Sequence, residues 1–273
     1  MPLKSDATRR WVELDVLLPG TPEQVWQAIA TGPGLSAWFT ATQVEERVGG
    51  AIRFEFGEGV ASAGTVTAWE PPFRFAYEET GWNGDAPPVA TECVIISRSG
   101  DACVLRLVHT LFTTDGRWDD ELEGFESGWP GFFVILQLYL KRFAGMPAAP
   151  ARAMAMHPGP DLAAWTDLAG RFGFAGVNVG EPWSTPAGVP VLAGTVERMQ
   201  QDAKSREVTV ALDRPAPGIA LIGIHGWQGK ARVAASVFFY GDRAADTAAR
   251  FQAELRRWIQ ETYPDKEGEV PCP

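Results

Sequence analysis

The chain has 273 residues, of which 45% are hydrophobic and 21% are charged, so it has enough apolar material for a folded core and disorder of the whole chain is excluded. Its formal net charge of -10 at pH 7 repels a phosphate backbone, so no nucleic-acid partner is expected. No apolar run reaches the roughly 20 residues that a membrane span needs, so none is predicted.

The cysteines are Cys93, Cys103 and Cys272, an odd number without CxxC spacing. This usage is typical of a reduced compartment. The N-terminus has no apolar segment of the kind that signal peptides carry. The sequence therefore predicts a cytoplasmic protein.

The predicted elements begin with an alternating strand over residues 10–18, followed by a helix. Thr21 and Gln24 form a capping box around Pro22, which suits the first helical position. A second short helix is predicted over residues 35–39. Short strands separated by turn signals come next, a pattern that indicates antiparallel pairing. They are predicted at residues 42–47, 51–56, 64–70, 73–79, 89–97 and 102–112.

A long amphipathic helix over residues 118–143 ends the first half. Its apolar residues are spaced by three or four, as one buried face requires. Pro130 lacks an N–H and crowds the preceding turn, so the helix is expected to kink or to restart there. The elements together predict an α+β domain over residues 1–145.

Residues 146–160 are rich in proline and alanine and are predicted to be an interdomain linker. A second domain is predicted over residues 161–273. Its strand-like runs resemble those of the first half, but no first strand or first helix is evident. We therefore predict a degenerate second copy of the first domain.

Two short matches support this repeat. Residues 32–38 (GPGLSAW) resemble residues 159–165 (GPDLAAW), and the AGTV segment of residues 63–66 recurs at 193–196. The matches keep their order and nearly keep their spacing. Agreement of this kind is the signature of an internal repeat.

The motifs of the first half occur in a characteristic order over residues 10–144. They are Pro22-x-x-Val25-Trp26, Leu35-x-x-Trp38-Phe39, Gly49-Gly50, Gly64-x-Val66 with Glu70-Pro71-Pro72, Leu105-x-Leu107-x-His109, and Gly128-Trp129 with Leu136-x-x-x-Leu140. This set resembles the AHSA1-like branch (activator of Hsp90 ATPase homologue) of the START/Bet v 1-like SRPBCC superfamily. The resemblance implies a helix-grip fold, in which a curved antiparallel sheet wraps a long C-terminal helix around an internal cavity. Pro130 departs from the family pattern.

Common catalytic signatures, namely G-x-S-x-G, the P-loop, GxGxxG and HExxH, do not occur in the sequence. The histidines are His109, His157 and His225, and none has metal-ligand spacing to another, so no metal site and no cofactor are predicted. His109 shares strand parity with Leu105 and Leu107, which predicts that it faces the long helix. It is a hydrogen-bonding or acid–base group in the cavity, or a core histidine satisfied by the backbone.

An aromatic-rich cavity of this kind predicts a ligand pocket, because such pockets are mostly apolar with a few polar groups. Plain core packing is the alternative for each aromatic residue. Trp82 lies in a glycine-rich loop suited to covering a cavity mouth. Glu92 faces inward or lies at a solvated strand end. The predicted ligand-binding residues are Trp26, Trp38, Phe54, Phe56, Phe75, Tyr77, Trp82, His109, Trp129 and Phe133.

These features predict a protein that binds a small hydrophobic molecule and has no recognisable catalytic set. One alternative is an enzyme of the polyketide cyclase or dehydratase type, which needs two convergent polar groups in the cavity and would use His109. Another is a protein–protein adaptor or stress-related co-chaperone, using the outer strand face of Val104, Val108 and Phe112. Oligomer formation is left open.

Overall fold

The computed structural model describes residues 3–57, 60–82, 84–97, 101–201, 206–227 and 230–264. The chain divides into two compact units, Met1–Gly145 and Met146–Cys272, each built on its own antiparallel sheet. In both units the first long strand pairs with the last strand.

The first unit is an eight-stranded sheet with three α-helices. Its elements are β1 (Lys4–Ser5), β2 (Arg10–Pro19), α1 (Pro22–Ala30), α2 (Gly32–Ser36), β3 (Ala41–Val44), β4 (Ala51–Gly57), β5 (Val60–Glu70), β6 (Arg74–Glu79), β7 (Val89–Ser97), β8 (Ala102–Leu111) and α3 (Asp119–Arg142). The strand order is β1-β2-β8-β7-β6-β5-β4-β3. Helix α3 contacts β2 and β8. The prediction of an α+β helix-grip fold is confirmed.

The helical N-termini follow from local sequence. Thr21 accepts a hydrogen bond from the backbone N–H of Gln24, whose side chain accepts one from the Thr21 N–H at 2.9 Å, so the predicted capping box is confirmed. Thr31 caps α2 through the Gly34 N–H at 3.1 Å, which places this helix earlier than the predicted residues 35–39. A proline follows each capping threonine within two residues, in the first turn where its missing N–H is tolerated.

Helix α3 runs without interruption through Pro130. Pro130 cannot donate a hydrogen bond to the carbonyl group one turn earlier, which weakens the helix locally. Burial of apolar residues on both sides of the proline offsets this weakness: Leu122, Phe133 and Leu136 are all buried. Tertiary packing therefore keeps one continuous helix, and the alternative of a restart at Pro130 is wrong.

The second unit has a six-stranded sheet and two helices. Its elements are β9 (Ala148–His157), α4 (Asp161–Phe172), β10 (Pro182–Ser184), β11 (Ala193–Gln201), β12 (Arg206–Arg214), β13 (Gly218–Trp227), β14 (Lys230–Tyr240) and α5 (Ala244–Thr262). The strand order is β10-β11-β12-β13-β14-β9. Apolar residues of this sheet and of both helices form a shared core.

The prediction of a linker over residues 146–160 is wrong, because most of this segment is strand β9. It pairs with β14 along its whole length. Ala151 and Ala153 are buried in the core, where small side chains allow α5 to approach the sheet. Pro150 is tolerated because β9 lies at the sheet edge, where one missing N–H costs little. The alanine-rich composition concealed the strand.

The second unit repeats the topology of the first. Strands β11 to β14 take the places of β5 to β8, and β9, α4 and α5 take those of β2, the α1–α2 pair and α3. The prediction that the second copy lacks a first strand and a first helix is therefore wrong. The two AGTV segments lie on the equivalent strands β5 and β11. At Gly64 and Gly194, an added Cβ would overlap a carbonyl oxygen of the neighbouring strand. In both copies, the backbones of these two paired strands therefore approach closely at the same place.

A polar contact ties α4 to the residue that follows α5. The Tyr263 hydroxyl donates to Asp167 at 2.8 Å, and Arg171 also donates to Asp167 at 2.8 Å. Tyr263→Phe is expected to lower the free energy of unfolding by about 1.5 kcal/mol, since one hydrogen bond to a charged group is lost. Urea denaturation measures this change. Arg257→Gln, an exposed substitution on the same helix, is the control, and an equal effect in both variants would contradict the assignment.

Candidate functional site

The concave face of the first sheet carries alternate residues of β6, β7 and β8. A cavity of about 20 Å³ lies against this face. Aromatic and aliphatic side chains form most of its wall, and the Tyr77 and Thr91 side chains bring hydroxyl groups to it. The lining residues are Ile29, Leu35, Trp38, Phe39, Phe75, Tyr77, Thr91, Cys93, Leu105, Leu107 and Trp129.

The cavity is much smaller than the ligand-sized space expected from the sequence. Its volume suits one water molecule. Aromatic rings fill the rest of the interior: the Phe39 ring stacks on Trp129 at 5.3 Å between centroids, and Trp129 stacks on Phe133 at 5.7 Å. These distances are typical of favourable aromatic pairs. Among the residues that the structure describes, rings therefore fill the space between the sheet and α3 where the sequence predicted a ligand-sized hollow.

Four of the ten predicted ligand-binding residues line the cavity: Trp38, Phe75, Tyr77 and Trp129. The other six, which do not line it, are Trp26, Phe54, Phe56, Trp82, His109 and Phe133. Trp26 packs edge-on against Trp69 at 5.0 Å between centroids, deep in the core. Phe54 and Phe56 pack against Phe39, at 5.8 and 6.0 Å.

Trp82 and α3 cover one end of the concave face. The Trp82 indole N–H donates to the Pro87 carbonyl at 2.9 Å and so closes its own loop, in which Asn83 lies outside the described residues. The Trp82 ring contacts Phe125 of α3 at 5.6 Å between centroids. The loop residue thus packs on the helix.

His109 lies directly behind the cavity, in a row of polar residues that crosses three strands. Tyr77 pairs with Thr91, and Thr91 pairs with His109 in the sheet register. Thr91 Oγ1 and His109 Nδ1 share a hydrogen bond of 2.9 Å. Phe125 covers the imidazole at 4.2 Å between centroids. Across the described ranges no group hydrogen-bonds His109 Nε2, although the atom is buried.

Burial sets the protonation state of this row. It lowers the pKa of His109 to about 3, so the imidazole is neutral at physiological pH. Burial likewise raises the pKa of Tyr77 well above its usual value. The row therefore presents neutral hydrogen-bonding groups to an apolar space.

Glu79 is a further inward-facing residue, which the sequence reasoning missed. Glu79 follows Phe75 and Tyr77 at every second position of β6. This alternation predicts that the Glu79 side chain points to the same, inward face of the sheet. Its side chain is 8% exposed, and the Ser62 hydroxyl donates to it. Burial raises the pKa of Glu79 to about 6, opposed by the hydrogen bond from Ser62.

Glu92 does not face the interior, so that alternative is wrong. The inward positions of β7 are Thr91 and Cys93, which leaves Glu92 on the opposite face. There its carboxylate pairs with Arg74 Nε at 2.7 Å. Neighbouring residues of a strand point to opposite faces of the sheet, so a one-residue error in the alternation reverses the predicted direction of a side chain.

Comparison with known proteins decides the family of the first unit. Residues 19–141 match the model of the family described as activator of Hsp90 ATPase homolog 1-like protein. The first unit is an AHSA1-like domain. Among curated proteins, none matches this chain.

Three solved structures resemble the chain. CalU16 from Micromonospora echinospora is 21% identical, with the match covering 49% of this chain and 78% of that one at a TM-score of 0.41. The HSP90 activator PFC0360w from Plasmodium falciparum is 18% identical, with 48% and 96% covered and a TM-score of 0.41. DynU16, from the dynemicin biosynthetic locus, is 16% identical, with 92% and 98% covered and a TM-score of 0.43. All three similarities lie below 25% identity and below a TM-score of 0.5, so no function is taken from them.

The outer face of the AHSA1-like domain carries a short apolar row. Val104 of β8 pairs with Leu17 on one side and Ile96 on the other. Leu17 is 57% exposed and Ile96 is 42% exposed, while Val104 is half-buried. Phe112, just beyond β8, is also exposed, whereas Val108 of the predicted adaptor face is half-buried.

The AHSA1-like domain contains two buried free thiols, Cys93 and Cys103. Burial raises the pKa of Cys93 to about 12, so this thiol is unreactive in the folded protein. Within the ranges that the structure describes, no three His, Cys, Asp or Glu residues lie close enough to hold a metal ion. No helix in those ranges has the length and apolar character to cross a membrane.

Proposed function

We propose that the AHSA1-like domain binds a small hydrophobic molecule between its sheet and α3. The observation that carries the proposal is the row of Tyr77, Thr91 and His109 at an otherwise apolar cavity. His109 Nε2 is buried, and no described residue hydrogen-bonds it. Buried polar atoms are normally paired, and small-molecule sites combine an apolar wall with a few polar groups.

Binding requires that the cavity enlarges, and the first half of α3 is the segment suited to move. Gly124, Gly128 and Pro130 lie in this half. Each glycine costs a helix about 1 kcal/mol relative to alanine, and the proline removes one backbone hydrogen bond. Phe125 and Trp129, which cover His109 and the cavity, are only half-buried. Displacing them makes room beside the polar row.

The binding energy comes from apolar burial, at about 25 cal/mol per Å² removed from water. The free energy of opening α3 is subtracted from this gain, because the binding-competent form is a minor state. Ligands that fill more of the aromatic space are therefore expected to bind more tightly. A hydrogen bond to His109 Nε2 adds specificity.

A thermal-unfolding screen against lipids, polyketides and aromatic metabolites tests the proposal, since a ligand that binds the folded state raises Tm. Cys93→Leu fills the cavity and is expected to reduce the Tm shift of any compound found by about half or more, since the added side chain occupies ligand volume. Cys103→Ala replaces a buried cysteine outside the cavity wall and is the control. A panel that shifts nothing, or a shift untouched by Cys93→Leu, would contradict the proposal.

The cyclase or dehydratase alternative finds less support in the geometry. It requires His109 to act as an acid or base inside the cavity. Thr91 occupies the Nδ1 atom of His109, and burial lowers the pKa of His109 to about 3, which makes its Nε2 atom a weak base. Binding without chemistry is therefore the function that these contacts favour.

A further inference from the structure

Glu79 is a buried carboxylate on the face that the ligand would touch. It lies two residues beyond Tyr77 on β6, about 7 Å further along the strand. Its neighbours in the sheet register are Gly64 of β5 and Val89 of β7. Val89 belongs to a small apolar cluster against which Trp82 and Phe125 pack. The carboxylate thus lies on the concave face, at the end covered by Trp82 and the first half of α3.

The described residues supply Glu79 with a hydrogen bond but with no positive charge. The Ser62 hydroxyl donates to Glu79 Oε1. No lysine or arginine within the described ranges forms an ion pair with Glu79, whereas Glu92 on the opposite face of the sheet is paired with Arg74. A buried carboxylate without a countercharge is costly to the folded state. Costly groups of this kind concentrate at binding and catalytic sites.

We infer that Glu79 is the charge-recognition group of this site and that the ligand is a hydrophobic amine. The inference rests on the proposed function and names the chemical class of its ligand. A protonated amine supplies the missing countercharge and donates a charge-assisted hydrogen bond to the carboxylate. The apolar body of the ligand lies toward Tyr77 and Trp129. Carboxylic acids and phosphates are excluded, because a second anion beside Glu79 is repelled.

Matched pairs of compounds test this inference on the full-length protein at pH 7.5. Suitable pairs are naphthylmethylamine with naphthylmethanol, and decylamine with decanol, followed by titration calorimetry. The wild-type protein is expected to bind each amine about tenfold more tightly than its alcohol, since a hydrogen bond to a buried charge contributes about 1.5 kcal/mol or more. Glu79→Gln is expected to abolish this preference, so that each amine binds no more tightly than its alcohol.

The adjacent residue provides the control. Glu78 lies on the same strand but faces away from Tyr77, so Glu78→Gln is expected to keep the amine preference. Equal affinity for both members of each pair in the wild-type protein would overturn the amine inference while supporting the binding function. Binding of neither member of any pair contradicts the binding function itself. The wild-type comparison needs no variant, so a folding defect in Glu79→Gln does not obscure the result.

Discussion

Lowering the pH from 7 to 4 is expected to reduce the free energy of unfolding by about 3 kcal/mol through His109 alone. Burial lowers the pKa of His109 from 6.5 to about 3. In the unfolded chain the same side chain takes up a proton as the pH falls below about 6.5. The unfolded state therefore binds more protons than the folded state between these two values, and stability is lost as the pH falls through this window.

His109→Gln isolates this contribution. Glutamine has no charged form, and its amide can still hydrogen-bond Thr91. Between pH 7 and pH 4 the free energy of unfolding of the variant is therefore expected to fall by about 3 kcal/mol less than that of the wild-type protein. Urea denaturation at the two pH values measures the difference. Burial lowers the pKa of His225 in the second unit to about 4, so this residue also reduces stability as the pH falls. His225 is present in both the variant and the wild-type protein, so its contribution cancels in the comparison.

A control histidine sharpens this experiment. His157 is partly exposed, and its Nδ1 accepts a hydrogen bond from the Gly159 N–H at 2.9 Å. His157→Gln, measured at the same two pH values, controls for the loss of a histidine as such. If His109→Gln shows the same loss of stability as the wild-type protein on acidification, the buried, neutral state assigned to His109 is incorrect.

Gly194→Ala is expected to lower the free energy of unfolding by more than about 3 kcal/mol. The added Cβ would overlap the carbonyl oxygen of Ala211 on the paired strand β12. The other atoms nearest to it also belong to the backbone of this strand, which leaves little freedom to move. The strands would have to separate, at the cost of their hydrogen bonds. Gly64→Ala, at the equivalent position of the AHSA1-like domain, is expected to destabilise its own unit for the same reason.

The matched control is a glycine with open space. Gly170 lies in helix α4, and an added Cβ there would meet no atom within 4 Å. Gly170→Ala is expected to stabilise the second unit by about 0.5–1 kcal/mol, because alanine is the better helix former. Thermal or urea unfolding of the three variants gives the comparison. A loss below about 1 kcal/mol in Gly194→Ala would mean that the close approach of β11 and β12 is not required.

The fold class of the first half followed from local patterns in the sequence. Alternation in β6 and β8 predicted which side chains face α3, and the Thr21 capping box predicted the start of α1, because both depend on near neighbours in the chain. The same alternation placed Tyr77 and His109 on one face. It also contained Glu79, whose importance was not evident until its burial and its pairing with Ser62 were seen.

The repeat was visible only in part. The AGTV segments marked equivalent strands, because a close backbone approach requires glycine at the same place in both copies. Strand β9 was missed, because its alanines and Pro150 carry no alternation of large apolar and polar residues. Its identity as a strand depends on pairing with β14, which lies about 80 residues later in the chain.

The sequence by itself determined the order of the elements in the first unit and the inward direction of Phe75, Tyr77 and His109. The size of the cavity was decided by tertiary structure alone. Phe39 and Trp129 come from distant parts of the chain, and their stacking leaves about 20 Å³ where the fold family implied a ligand-sized hollow. Strand patterns predict which side chains point inward, whereas the volume that remains depends on how rings from separate elements pack together.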